Sequence, residues 1–396
     1  MGQPFMGNIT RKSFISSLFA FTSVSCALIG GTRSSYAAMT AIKPTVNLTS
    51  EDLLSGAAIL DFPLQKYDLP EDSIFVLSPQ MEEFLRTFVT ERAIEPYWAR
   101  QLNRALFNEK MLGMKYDVTK TFTAQEAFNK KMGNCLAYCL LYSALASKAG
   151  IKFEIQEVYK PLDWSPISGE TDQAWRHINL LIKSGADAGS VFDIDEINQN
   201  QKQVVSRTLT REHVAGLYYS NIGAGHLLEG DIENAFLYFA KGLKLAPNEP
   251  DLWVNLGVLY KKTENFAHAK LAYEIALDLN SNSYSTLSNL SSLYENLNQP
   301  KLARLYKEKA KDSQFTNPNY RFRLAQIDYN KKQYRRALRH LDFALASNSD
   351  DARFVRLKEK VEEKRDNYHD ENMVFRKVNL RGITLGNGQI GGIISY

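Results

Sequence analysis

Residues 250–283 read PDLWVNLGVLYKKTENFAHAKLAYEIALDLNSNS. With Pro250 as position 1, Trp253, Leu256, Gly257, Tyr260, Ala269, Tyr273 and Ala276 fall at positions 4, 7, 8, 11, 20, 24 and 27. The same beat extends in both directions with no insertion or deletion. Upstream, counting from Gly216, it takes Tyr219, Ile222, Gly223, Ala235, Phe239 and Pro247. Downstream, the frame from Tyr284 has Leu287, Leu290, Tyr294, Ala303 and Ala310, and the frame from Pro318 has Leu324, Ala337 and Ala344. A period of this length means that one unit, unable to bury its own apolar face, is stacked on its neighbours.

The spacing is the tetratricopeptide pattern of paired helices. Small residues at positions 8 and 20 let the two helices of a pair approach closely, and large ones at 4, 7, 11 and 24 fill the space between neighbours. The reading predicts an all-α solenoid over residues 206–368, with repeats at about 216–249, 250–283, 284–317 and 318–351. The charged stretch 353–368 forms a capping helix, and the tail 369–396 lacks a helical period. A concave face lined by the first helix of each pair would take a protein partner. Asn221, Asn255 and Asn289 share position 6, where a ladder of amides could hydrogen-bond a bound peptide or equally face solvent. The fourth frame has Arg323 there.

Upstream lie two of the chain's three cysteines. Thr123, with Glu126 three residues later, forms a capping box for a short helix. Asn134 caps the next helix, which runs through Leu140, Leu141, Ala144 and Leu145 to Gly150 and holds Cys135 in its first turn. There the positive helix end favours thiolate over thiol, and free backbone N–H groups could receive an oxyanion. Gly133 leaves room for a substrate backbone. Cys139, one turn on among Ala and Leu, reads as core. Alternating runs predict strands after Gly150, around His177 and around residues 190–195. His177 lies on the face opposite Ile178, Leu180 and Ile182, and Asp193 and Asp195 lie opposite Phe192 and Ile194. A nucleophile on a helix, an imidazole on one strand and a carboxylate on the next are the parts of a cysteine triad. A closed zinc site would need a fourth ligand that Cys135, Cys139 and His177 do not supply, so no metal and no cofactor is expected. The loop 159–174, with Trp164, lies where it could flank a cleft.

The segments TAQEAFNKKMGNCLAYCLLYSALASKAGIKFEIQEV (123–158), WRHINLLI (175–182) and VFDID (191–195) resemble the core of the transglutaminase-like superfamily, in particular exported bacterial proteins that join this core to tetratricopeptide repeats. The resemblance implies an α+β papain-like domain over residues 48–205, with Cys135 as nucleophile, His177 as general base and Asp193 as orienter; alternation alone does not choose between Asp193 and Asp195. It departs beside the histidine, where this chain has Arg176 and Ile178. Residues 206–214 are expected to pack as a connecting helix. The implied activity is cysteine-dependent acyl transfer or hydrolysis at a peptide or protein amide, with the repeats recruiting substrate. The alternative is a catalytically inactive scaffold.

Residues 9–37 run from Arg11-Lys12 through an apolar stretch to small residues, the layout of a secretory signal peptide with cleavage expected near residue 37. Several Ser and Thr interrupt the stretch, which argues against a membrane anchor, and a membrane link is expected only if Cys26 is lipidated. The expected location is periplasmic or secreted, or lipid-anchored on the envelope. With 44% hydrophobic and 23% charged residues the chain has globular composition. A net charge of only +4 without a long basic run gives no case for nucleic acid.

Overall fold

The computed structural model describes residues 48–61, 64–89, 95–159, 176–182, 190–192 and 204–381. Cys26, Trp164, Asp193, Asp195 and the leader-like stretch 9–37 lie outside the described residues. The chain divides into two compact units, one up to Ser313 and one from Gln314.

The first unit opens with α1 (Ser50–Ser55), α2 (Pro79–Phe88) and α3 (Glu95–Phe107). A small parallel pair follows, β1 (Lys115–Tyr116) and β2 (Met132–Gly133), bracketing α4 (Ala124–Lys130). The expected capping box at α4 is present: the Thr123 hydroxyl accepts from the Glu126 amide, and the Glu126 carboxylate accepts from the Thr123 amide at 3.0 Å. Then come α5 (Cys135–Lys148), β3 (Phe153–Tyr159), β4 (Arg176–Ile182), β5 (Ser190–Phe192) and β6 (Val204–Leu209). The four strands form one sheet in the order β5-β4-β3-β6, each neighbour antiparallel.

The connecting helix expected at 206–214 is not what forms there. Residues 204–209 are β6, paired to β3, and the Thr210 side chain caps α6 (Arg211–Glu229). Val204, Val205, Thr208 and Leu209 are β-branched or apolar and suit a sheet edge, which outweighs helix propensity. A boundary at residue 205 therefore cuts a strand.

After β6 the unit is purely helical: α6, α7 (Ile232–Leu245), α8 (Pro250–Lys262), α9 (Phe266–Leu279), α10 (Tyr284–Asn296) and α11 (Pro300–Thr316). α6 pairs with α7 and α8 with α9, and each pair touches the next. The glycines stand where the pairing demands them. A Cβ on Gly257 would come within 2.5 Å of the Tyr273 ring, and one on Gly223 within 2.8 Å of Phe239. One hydrophobic core runs through the whole unit, joining Leu53, Met81, the inner strand residues Ile155, Ile178 and Leu180, and repeat residues such as Phe236, Trp253 and Tyr273. α1 lies against α9.

The second unit holds α12 (Pro318–Asn330), α13 (Tyr334–Ser347) and α14 (Ala352–Arg381) around a core of Phe322, Ala325, Leu341, Phe354 and Val361. α14 extends past the capping helix expected to end at 368. Among the described residues no helix is long and apolar enough to cross a membrane.

Candidate functional site

The N-terminus of α5 is built as its sequence requires. The Asn134 side chain accepts from the Ala137 amide at 3.0 Å and donates to Thr121 Oγ1 at 2.7 Å, and the Asn134 amide bonds Lys120 O. Such a cap is worth about 1 kcal/mol. A Cβ on Gly133 would meet Ala137 Cβ at 2.6 Å, so glycine is needed for α5 to start where it does. Cys135 thus sits in the first turn as expected. Its setting is a core, however: every residue from Cys135 to Ala146 is buried, and Cys135 itself is 0% exposed. α5 packs against β3, β4, α2, α3 and α4, and only its last turn, Ser147 and Lys148, is exposed. Buried tyrosines fix it further, Tyr138 donating to Asn103 Oδ1 at 2.7 Å and Tyr142 to Ala99 O at 3.0 Å. Cys139 is equally buried, and the two thiols are not bridged to each other.

His177 lies on β4 opposite Val158 and is buried, as are its neighbours Asn179 and Gln156. The alternation places His177 away from Ile178, Leu180 and Ile182 as expected, but both faces of the strand are covered. The structure brings together the elements that carry Cys135 and His177, while Asp193 and Asp195 lie outside the described residues. Among the described residues no three His, Cys, Asp or Glu gather as a metal-binding group.

The repeats carry the second candidate surface. The proposed amide ladder is spent inside the fold. Asn255 is buried and donates to Ser220 Oγ at 2.9 Å, Asn289 is buried and donates to Ser285 O at 3.0 Å, and Asn221 donates to Thr121 Oγ1 at 3.1 Å. Of these only the Asn255 bond joins two helices, α8 to α6; Asn289 bonds within α10 and Asn221 reaches the segment before α4, as buried amides must be satisfied locally. The first helices of successive pairs lie side by side, with Lys261 on α8 reaching Ser292 on α10 at 2.6 Å. Both α6 and α8 are covered along most of their length, Leu252 to Tyr260 being buried without a break, whereas on α10 Ser285, Ser288 and Ser292 are half-buried.

Sequence reasoning missed how tightly the early chain grips the repeats. The Tyr260 hydroxyl donates to Leu53 O, and Asn265 Nδ2 donates to Ala58 O at 3.3 Å. Tyr219 Oη accepts from the Asp72 amide at 3.1 Å, Lys241 pairs with Glu71, and the Arg211 guanidinium lies 3.8 Å from the Phe75 ring centroid. Burial holds the Asp72 carboxyl above the usual carboxylate range, opposed by a hydrogen bond from Tyr218 and reinforced by Glu126. Burial likewise pushes the Tyr219 phenol up to about 12. On the sheet side, Arg207 of β6 donates to Glu157 at 2.7 Å and also to Glu249, a fully buried carboxylate just before α8. No spacing rule reveals a lone Arg on an edge strand as a clamp.

The four frames end their first helix identically. Gly230, Glu264, Asn298 and Lys332, all at position 15, have φ of 85°, 61°, 53° and 59°. In each, the next residue's N–H reaches back to the carbonyl at position 11, in Asp231→His226, Asn265→Tyr260, Gln299→Tyr294 and Gln333→Asp328, at 2.7–2.9 Å. This is the left-handed helix stop with a six-to-one bond, repeated in register.

The tetratricopeptide repeat family model matches residues 250–283, the frame from which the pattern was counted. The general transcriptional corepressor trfA of Dictyostelium discoideum is 27% identical over 110 residues, and the match spans 27% of this chain and 8% of that protein's length. Similar solved structures include the APC/C hetero-tetramer Cut9-Hcn1 (22% identity, 37% of this chain and 30% of that one) and YrrB, titled a TPR protein with an unusual peptide-binding site (20%, 38% and 78%), both at a TM-score of 0.24. The MamA protein matches at 16% identity over 44% of this chain and 98% of its own, also at 0.24. With the family model seated on the second frame and the same helix stop in all four, the C-terminal half of this chain carries tetratricopeptide repeats.

Proposed function

We propose that this protein is an interaction scaffold whose tetratricopeptide repeats hold a peptide or protein partner, with the α+β part serving as a platform fused to the first repeats. The observation that carries this reading is the repeat geometry itself: helix pairs in strict register, with the same left-handed stop closing the first helix of every pair. Stacked pairs supply an extended surface without a catalytic group. A photo-crosslinking side chain at Ser288 should capture a partner protein in cells, and one at the exposed Lys110 should not. Equal capture at both positions, or none at either, refutes the reading.

A second reading keeps a papain-like, transglutaminase-like centre with Cys135 as nucleophile, His177 as base and Asp193 as orienter. The capped helix start at Asn134 and the packing of α5 on β4 support it. The full burial of Cys135 supports the scaffold instead, since a nucleophile must meet substrate. A thiol-reactive probe at neutral pH separates the two. The scaffold predicts no labelling of the native chain beyond that of Cys135→Ser, and rapid labelling lost only in Cys135→Ser would establish the second reading. The leader-like pattern of residues 9–37 supports action in an exported compartment.

A further inference from the structure

The fourth frame breaks the repeat chemistry in one place. Position 4, Tyr219, Trp253 and Leu287 in the earlier frames, becomes Arg321. Position 11, His226, Tyr260 and Tyr294, becomes Asp328. Position 22, leucine in all three earlier frames, becomes Arg339. At positions 4 and 11 the earlier frames bury Tyr219, Trp253, Leu287, Tyr260 and Tyr294, so Arg321 and Asp328 are costly there unless the charges have partners.

The structure gathers these residues between α12 and α13. Arg321 Nη1 lies 3.2 Å from His340 Nδ1, its Nε donates to Phe315 O at 2.7 Å, and its guanidinium lies 4.5 Å from the Phe343 ring centroid. Asp328, buried, faces Arg336 Nε at 3.4 Å and His340 Nε2 at 3.6 Å. Arg335, Arg336 and Arg339 are exposed along α13, and Lys331 and Lys332 are exposed at the turn that precedes it. Nearby carboxylates are already taken, Asp342 by Lys358 and Asp351 by Arg353. The cluster is therefore short of negative charge.

We propose that α12 and α13 form a recognition site for an acidic peptide segment of a protein partner, with Arg321, Arg336 and Arg339 as its carboxylate contacts. This names the partner chemistry within the partner-binding reading and rests on it. Guanidinium forks match carboxylates bidentately, and an aromatic face behind Arg321 holds its plane. Phe315 and Phe343 are 41% and 36% exposed beside the arginines, so apolar residues interspersed among the acidic ones have a place to pack. The local field agrees with the geometry. Burial holds His340 below the ordinary histidine value, and Arg321, Arg336 and Arg339 push it the same way against Asp328. The patch spans a single helix pair in a chain of net charge +4, which suits a short peptide better than a membrane surface or nucleic acid.

The test is selection of a random-peptide display library on the full chain and on Arg336→Glu/Arg339→Glu. Labelled binders are then measured by fluorescence anisotropy, with thermal melts of both proteins and Arg336→Gln/Arg339→Gln as the milder variant. The expected result is enrichment of Asp- and Glu-bearing peptides whose affinity falls about tenfold in the charge-neutral variant, more in the reversed one, and also falls with added salt. Peptides selected without acidic bias would overturn this inference and leave the scaffold reading standing. Failure to select any peptide would overturn both. Binding of the chain to phosphatidylserine vesicles or to a single-stranded oligonucleotide, with no acidic peptide selected, would overturn it in favour of those anions.

Discussion

The recurring helix stop makes a quantitative prediction at Gly230. Its φ is 85°, and a Cβ built there meets nothing within 4 Å. Gly230→Ala therefore isolates backbone conformation from packing. An L-residue in the left-handed region costs about 1–2 kcal/mol. Alanine also narrows the unfolded ensemble, which returns about 0.4–1 kcal/mol. The net expectation is a loss of about 1 kcal/mol. For a unit of this size that lowers the melting temperature by about 2–4 °C. Urea unfolding followed by circular dichroism measures the global change. Hydrogen exchange at the Asp231 amide, which donates to His226 O at 2.9 Å, reads the stop itself. Reciprocal changes run the other way: Glu264→Gly and Lys332→Gly should gain about 0.5 kcal/mol, and Asn298→Gly should be nearest neutral because asparagine tolerates this conformation. A Gly230→Ala protein as stable as wild type, with unchanged exchange at Asp231, would refute the strain argument.

Three other outcomes follow from the structure. Gly257→Ala forces a methyl within 2.5 Å of the Tyr273 ring and should lower stability by about 1–3 kcal/mol, read as a shifted urea midpoint at unchanged slope. Arg207→Ala leaves the buried Glu249 and Glu157 carboxylates without their cation and should cost about 2–3 kcal/mol, less than a fully buried pair because Arg207 is a third exposed; an Arg207→Met/Glu249→Gln protein should melt above the single variant. Asp72 binds its proton more tightly folded than unfolded, so stability should fall as pH rises from the ordinary carboxylate value through the higher folded one, and Asp72→Asn should flatten that part of a urea-midpoint profile measured across pH.

Much of the helical half was legible because its signal is local and repeated. Trp253, Gly257 and Tyr273 carry both the period and the reason for it, and Gly257 lies against Tyr273 as small and large residues at those positions require. The caps Thr123 and Asn134 were legible for the same reason, since each bonds an amide three residues on. β6 was misread because an edge strand next to a helix start offers only a short β-branched run and no alternation. The role of Asn255 was missed because a shared position cannot reveal whether an amide points to solvent or to Ser220 of α6. The environment of Cys135 was beyond reach as well: a helix start with Gly-Asn-Cys reads the same whether its thiol meets a cleft or the packed faces of α2, α3 and β4.

The bond from Tyr260 to Leu53 also bears on how the chain is made. The two residues are 207 positions apart, as are Asn265 and Ala58, so neither bond can form until the second repeat leaves the ribosome. At 5–20 residues per second that interval is about ten to forty seconds. During it Leu53, fully buried in the finished protein, lacks the cover that the second repeat brings, and a chaperone that covers short apolar segments has its opportunity there.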